Sequence, residues 1–224
     1  MIDVVSATRL SESDFWQHSP LGQSLTRLRF DRRIVPRVSF ENKRGLPDIY
    51  NARITDECGS EYIVFIHDDV WLDDYYLGDR VIGGLDAFDI IGVAGNRRRL
   101  PKQPGWSITD TRLTWEDRSN VSGAVAHGPG PFGAISHFGA VPAQCEILDG
   151  VLLAARRSKL VQHAIVFDTR FGFHFYDLDF CRAARKSGLR LGTWPICITH
   201  QSKGAFGTDE WHEAYRVYIA KWGD

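Results

Sequence analysis

The sequence predicts an α/β fold, a single domain with a mostly parallel central sheet flanked by helices. Three observations carry this. Apolar runs of strand length alternate along the chain with segments of helical period. One run, Ile63-Val64-Phe65-Ile66, has the composition of a strand buried on both faces and stops abruptly at His67-Asp68-Asp69. A second, from Phe88 to Gly95, reads the same way and ends in glycines that let backbone approach closely. At 224 residues the chain is long enough for one sizeable core, so residues 1–224 are expected to form one domain.

Hydrophobic residues at 43% and charged residues at 25% are ordinary for a globular protein, and the formal net charge of -1 argues against a nucleic-acid or general polyanion binder. Any phosphate binding must therefore be local. No apolar run approaches the roughly 20 residues that span a bilayer, and MIDVVSATRL enters a strand-like pattern without a leader-like stretch, so no transmembrane segment and a cytoplasmic location are expected. Cys58, Cys145, Cys181 and Cys197 lack CxxC spacing and suit reduced, mostly core thiols better than zinc or disulfides.

In chain order, Ile2, Val4 and Val5 make a first strand. Ser11 caps a helix with Asp14 at its third position and Leu10 against Phe15, and Pro20 breaks or kinks the chain beyond that helix. Arg32 to Phe40 alternates as a second strand, placed toward the sheet edge by Pro36. Tyr50, Ile54 and Cys58 recur every four residues in a helix stopped by Gly59. After the strand at Ile63, Trp71 to Leu85 contains a helix, and the strand of Phe88 to Gly95 is followed by Arg97-Arg98-Arg99. From Leu100 to Gln144 the pattern dissolves into Gly, Pro, Ser and His around Trp106, Trp115, Phe132 and Phe138, which reads as a substrate-facing excursion. Glu146 to Ala155 restores a strand, interrupted by Asp149-Gly150. A helix beginning after Tyr176 ends at Gly188, a strand runs from Leu189 to Thr199, and Thr208 to Trp222 closes as an amphipathic helix.

Several polar residues fall at strand and helix ends, where open α/β sheets bind ligands. Asp68 and Asp69 could seat a hard divalent cation carrying a phosphorylated ligand, or form a polar turn. Thr8 and Arg9 follow the first strand, where a hydroxyl and a guanidinium could hold a base or diphosphate, or simply cap a turn. Asn42 and Asn51 lie on the same approach. Asp149 is either a satisfied structural carboxylate or a site residue, because burying it unpaired is costly. Asp177 and Asp179 lie in the first turn of a helix, where one is a cap and the other could act as a general base. His200 follows the last strand, where imidazole could join carboxylates on manganese.

Taken in order, GLPDIYN, FIHDDVWL, IIGVAGN, ILDGVLLAARR, FDTRFGFHFYDLDFCRAARKSG and ITHQSKG resemble the GT-A glycosyltransferases, specifically a family-2-like group. The resemblance covers about Gly45 to the C-terminus. It implies a Rossmann-like GT-A domain with residues 1–95 as the nucleotide-binding half and 96–224 as the acceptor-binding and catalytic half. It implies Mn²⁺ or Mg²⁺ on Asp69 and His200, and a nucleoside diphosphate sugar as donor. Thr8, Arg9, Asn42, Asn51, His67 and Asp68 would contact that donor. Trp106, Asp149, Gly150 and Tyr176 would face a carbohydrate or other hydroxyl acceptor, and Asp177 inherits the role of base in an inverting transfer. Two positions depart from the family pattern: His67 replaces a usual first Asp, and Tyr176 replaces the Glu of a usual Glu-Asp pair. A nucleotidyltransferase would need the same metal but a glycine-rich basic N-terminal loop, in which SATRLSES is poor. A sugar-nucleotide-binding domain without chemistry is the other alternative.

Overall fold

The computed structural model describes residues 1–202 and 204–224; Lys203, within the ITHQSKG stretch, lies outside them. β1 (Ile2–Ala7) leads to α1 (Glu12–His18), started by Ser11, whose Oγ accepts from the Asp14 N–H at 3.2 Å. Pro20 begins a helix rather than merely ending one: Ser19 caps α2 (Pro20–Arg27), and proline stands in its first turn, where a missing N–H costs nothing. β2 (Ile34–Ser39) takes the sheet edge beside β1, as Pro36 requires. α3 (Leu46–Ile54) is shorter than the recurrence of Tyr50, Ile54 and Cys58 predicts. Asp56 Oδ1 accepts from the Cys58 N–H at 3.0 Å, and that turn leaves Cys58 on the surface. Cys197 is exposed too, whereas Cys145 and Cys181 are buried thiols.

β3 (Tyr62–Ile66) is the strand buried on both faces, with Ile63 to Ile66 wholly inaccessible. A short β4 (Val70–Leu72) follows before α4 (Leu77–Ala87). The run from Phe88 to Gly95 divides into β5 (Ile90–Gly92) and β6 (Ala94–Asn96), because at Val93 the chain steps from one sheet into another. Gly123 makes the step possible: its φ is +104°, and any Cβ there would collide with the Val93 carbonyl. Residues 100–144 hold β7 (Val121–His127), β8 (Ala134–Gly139) and β9 (Ala143–Cys145). Then come β10 (Ile147–Leu148), β11 (Leu152–Arg156), α5 (Arg157–Gln162), α6 (Tyr176–Lys186), β12 (Leu191–Thr193), β13 (Ile198–His200) and α7 (Asp209–Trp222).

The central sheet runs β2-β1-β3-β11-β5-β12-β9, and a second sheet runs β10-β6-β7-β13-β4 with β8 beside β7. The α/β class with helices flanking a central sheet is as expected. Its parallel character lies in β2-β1-β3 and in β5-β12, whereas β11 runs antiparallel to both neighbours. That reversal matters for the site. β11 enters the sheet at the edge where β3 leaves it, Leu152 standing opposite Ile66, so the residues after β3 and those before β11 share one edge. No helix among the described residues is long and apolar enough to cross a membrane.

An aromatic column fixes α6 beneath that edge. Phe167 stacks on Phe180 at 4.1 Å between ring centres, and Phe65, Tyr50 and Tyr176 pack around the pair at 5.1, 5.3 and 5.8 Å from Phe167. α7 is tied to α6 by charge: buried Asp179 receives Lys221 Nζ at 2.6 Å and Trp222 Nε1–H at 2.8 Å. Asp179, the second acid of the FYDLDFC segment, is thus structural. Removing its cation strands a buried carboxylate, which costs more than the ion pair itself contributes. Lys221→Met is expected to lower unfolding free energy by about 3 kcal/mol in urea titrations, and an unchanged midpoint would show that the pair does not hold α7.

Candidate active site at the edge of the central sheet

Three elements converge at the shared edge. β3 delivers His67, Asp68 and Asp69; Asp149-Gly150-Val151 enters just before β11; and α6 begins with Tyr176-Asp177. The His67 N–H donates to the Val151 carbonyl at 3.3 Å, extending the sheet by one bond. Gly150 is the meeting point. Its N–H donates to Asp177 Oδ2 at 2.9 Å, and its carbonyl accepts from the Tyr176 hydroxyl at 2.9 Å. A Cβ on Gly150 would fall on the Tyr176 hydroxyl and within 2.9 Å of Asp177 Cβ, so no larger residue allows this approach.

His67, Asp69 and His200 form a donor set whose ligating atoms lie within 4.8 Å of one another, and all three are half-buried. His200 comes from the end of β13 and faces Asp69 Oδ2 with Nε2 at 3.3 Å; the same nitrogen lies 3.1 Å from Ser202 Oγ. His67 Nε2 is 2.8 Å from the Tyr176 hydroxyl. That hydroxyl has one proton and gives it to the Gly150 carbonyl, which can only accept. The network therefore assigns the His67 proton to Nε2 and leaves Nδ1 with the lone pair. Two imidazoles and a carboxylate at this spacing are a fitting set for a divalent transition cation.

The charges are tuned in opposite directions. Burial pushes the Asp69 carboxyl up, but the hydrogen bond from His200 and the charges of both histidines outweigh it and hold the group at about 2. His67 is pushed down by burial, against the pull of Asp69. Asp177 goes the other way: burial raises it, the neighbouring Asp149 charge adds to this, and the N–H groups of Leu178 and Gly150 only partly compensate, so it reaches about 7. Asp149 accepts from Trp106 Nε1–H at 2.7 Å and from the Val151 N–H at 2.9 Å.

The remaining sequence candidates fare differently. Asp68 lies at the same turn, its carbonyl accepting from the Leu21 N–H at 3.2 Å; its charge, after burial, pushes the Tyr50 hydroxyl up. Thr8 is buried and spends Oγ1 on the Leu10 N–H, while its carbonyl accepts from the Asn42 N–H at 2.8 Å. Asn42 closes its own turn on both the N–H and the carbonyl of Arg44. Of this group Arg9 presents an exposed head without an ion pair among the described residues. Asn51 bonds the backbone of Phe167: Nδ2 donates to the Phe167 carbonyl at 2.7 Å and Oδ1 accepts from the Phe167 N–H at 2.8 Å. Of Arg97, Arg98 and Arg99, the second pairs with Glu116 and the third with Asp224. Sequence reasoning missed Ser202, although it stands two residues after His200. It also missed His127, whose ring centre is 6.3 Å from that of His200 across the β7–β13 pairing; the irregular stretch around it carries no signal.

No protein-family model matches the chain. Among curated proteins it is 30% identical over 175 residues to "ATP synthase subunits region ORF 6" of Fuscovulum blasticum, aligning 77% of this chain; the chain spans 64% of the length of that relative. Among solved structures, the catalytic domain of Drosophila β1,4-galactosyltransferase 7 in complex with xylobiose superposes with a TM-score of 0.50 at 11% identity, covering 96% of this chain and 79% of the other. GalNAc-T7 with UDP, GalNAc and Mn²⁺ superposes with a TM-score of 0.54 at 11% identity, covering 98% of this chain and 47% of the other. The fold is the GT-A fold of these glycosyltransferases.

The elevated Asp177 carries a signed consequence for stability. Its proton is held more tightly in the folded than in the unfolded chain, so its contribution is full below the ordinary carboxyl range and is lost as pH rises toward 7. The shift sets an upper limit of about 4 kcal/mol, which screening at a half-buried group reduces to about 1–2 kcal/mol. The unmodified chain should therefore lose about that much stability relative to Asp177→Asn between pH 4 and pH 7 in matched urea titrations; parallel pH profiles would place Asp177 in an unstrained setting.

Proposed function

We propose that the chain is a metal-dependent, inverting glycosyltransferase of the family-2-like group that moves a sugar from a nucleoside diphosphate sugar to the hydroxyl of a carbohydrate or other acceptor. One observation carries the reading. The donor set of His67, Asp69 and His200 and a carboxylate poised at about 7 stand on the same sheet edge, joined through Tyr176 and Gly150. The GT-A fold, and a neighbour solved with UDP, GalNAc and Mn²⁺, support it.

In this reading His67 Nδ1, Asp69 and His200 Nε2 hold the cation, which moves His67 from the donor contacts to the metal ligands. With two of three protein ligands imidazoles, Mn²⁺ suits the set better than Mg²⁺. When bound, the cation supplies positive charge that offsets the negative charge of the departing nucleoside diphosphate. Asp68 and Arg9 remain the donor contacts whose side chains have no hydrogen-bond or ion-pair partner among the described residues. Asp177 takes the proton of the acceptor hydroxyl as that oxygen attacks the anomeric carbon, and the bond from this carbon to the phosphate oxygen breaks, its electron pair leaving with the diphosphate. Attack from the face opposite the leaving group gives inversion. An ordinary aspartate would be a weak base near neutrality; the burial of Asp177 beside Asp149 restores the basicity that the step needs. A cytoplasmic setting belongs to the proposal as well.

Incubation with a panel of nucleoside diphosphate sugars and Mn²⁺ is expected to release nucleoside diphosphate from at least one donor. The rate should rise with pH through about 7 and fall about a thousandfold in Asp177→Asn, with donor binding retained. Donor binding without turnover in any of the panel would favour the binding-domain reading instead. Tyr176→Phe removes the acceptor that orients His67, and outer-shell partners of this kind are worth roughly tenfold or more in metal affinity. Calorimetry with Mn²⁺ alone should show about that loss, with Asp69→Ala as the floor; equal affinity in Tyr176→Phe and the unmodified chain would mean that His67 does not ligate through Nδ1.

A further inference from the structure

Beside the carboxylates, and outside the donor set, lies a cleft of about 520 Å³ between β8 and the 106–121 segment. This is within the size range of small-molecule sites. Its walls are flat aromatic faces, Trp106, Trp115 and Phe138, and hydrogen-bonding groups from Ser107, Ser136 and His137 interrupt them. Trp115 is 71% exposed, a large apolar face left open to solvent. Trp106 is 8% exposed and belongs to two places at once: its ring meets Phe138 edge to face at 4.8 Å in the cleft wall, while its Nε1–H is bonded to Asp149 at 2.7 Å. The cleft is thus continuous with the carboxylates through one indole ring.

We propose that this cleft binds an oligosaccharide segment of the acceptor, with a pyranose ring laid on Trp115, so that the acceptor is a glycan longer than its reacting sugar. The argument rests on the glycosyltransferase reading and deepens it. A pyranose has an apolar C–H face and a rim of hydroxyls, the pattern that aromatic planes interrupted by hydroxyl and imidazole groups complement. An acyl chain would need an unbroken apolar lining, which Ser107, Ser136 and His137 deny it. Arg118 is the open charge of the lining: exposed, with Nη2 donating to the His137 carbonyl at 2.8 Å and no carboxylate paired with it among the described residues, it admits an acidic substituent on the glycan. Glu116 at the cleft is consumed by Arg98, Asn96 and Asn120, so the lining offers no free acidic group for a cationic ligand.

The test is tryptophan fluorescence titration of the full chain with xylobiose, cellotetraose and maltotetraose, beside the corresponding monosaccharides and octanoate. Saturable quenching by at least one oligosaccharide is expected, at least tenfold tighter than by its monosaccharide, weakened at least tenfold in Trp115→Ala and partly restored in Trp115→Phe. Trp115 is exposed, so the variants should keep the parent thermal midpoint. Absence of saturation by all three oligosaccharides overturns the proposal, as does affinity equal in Trp115→Ala and the unmodified chain. Saturation by octanoate instead assigns the cleft to an apolar chain, and a concentration-dependent dimer lost in Trp115→Ala assigns it to a second copy of the protein; either overturns it. Mn²⁺-dependent nucleoside diphosphate binding by the unmodified chain is measured separately, so failure of the cleft assignment is told apart from failure of the glycosyltransferase reading.

Discussion

The backbone of Gly150 is the constraint on which the site depends. Its carbonyl takes the proton of Tyr176, its N–H binds Asp177, and the absence of a side chain lets the first turn of α6 come this close. β11 must run antiparallel to β3 for Gly150 to arrive at the right edge, because only then do residues preceding one strand sit beside residues following the other. Backbone groups have no rotamers to lose, so two side chains bonded to the N–H and the carbonyl of one residue are anchored by the sheet that orders that residue.

Burial pushes both carboxylates up, and their neighbours then set them apart. Asp69 faces imidazoles and stays ionised; Asp177 faces another carboxylate and two backbone donors, and keeps its proton to near neutrality. Environment, rather than residue type, separates the proton affinities of the two carboxylates. For Asp177 burial is the larger cause and Asp149 adds to it; Trp106 Nε1–H and the Val151 N–H each donate to one oxygen of Asp149.

Much of the fold and site is legible in the sequence where strands are continuous and end abruptly. Ile63 to Ile66 mark β3, and the residues just beyond it, with His200 and Asp177, are singled out by their positions at element ends. Asn51, Thr8 and Asn42 read as open polar groups because local sequence does not reveal that Phe167, Leu10 and Arg44 consume their hydrogen-bonding capacity. The continuation of α3 to Cys58 fails because apolar spacing persists through a turn that Asp56 closes. Residues 100–144 carry no period because β7 is interrupted by Gly123 at the sheet crossing and β8 is largely exposed on both faces. The cleft built from them is invisible without the pairing of β7 with β8.

Trp106 has a consequence of an evolutionary kind. Its ring shapes the cleft while its N–H bonds the carboxylate that adds to the rise of Asp177, so one side chain joins the cleft to the proton affinity of Asp177. A lineage that altered Trp106 would reshape the cleft and shift the proton affinity of Asp177 in the same step. Diversification is therefore channelled to the outer wall, at positions such as Trp115 that touch the cleft and leave the carboxylates alone.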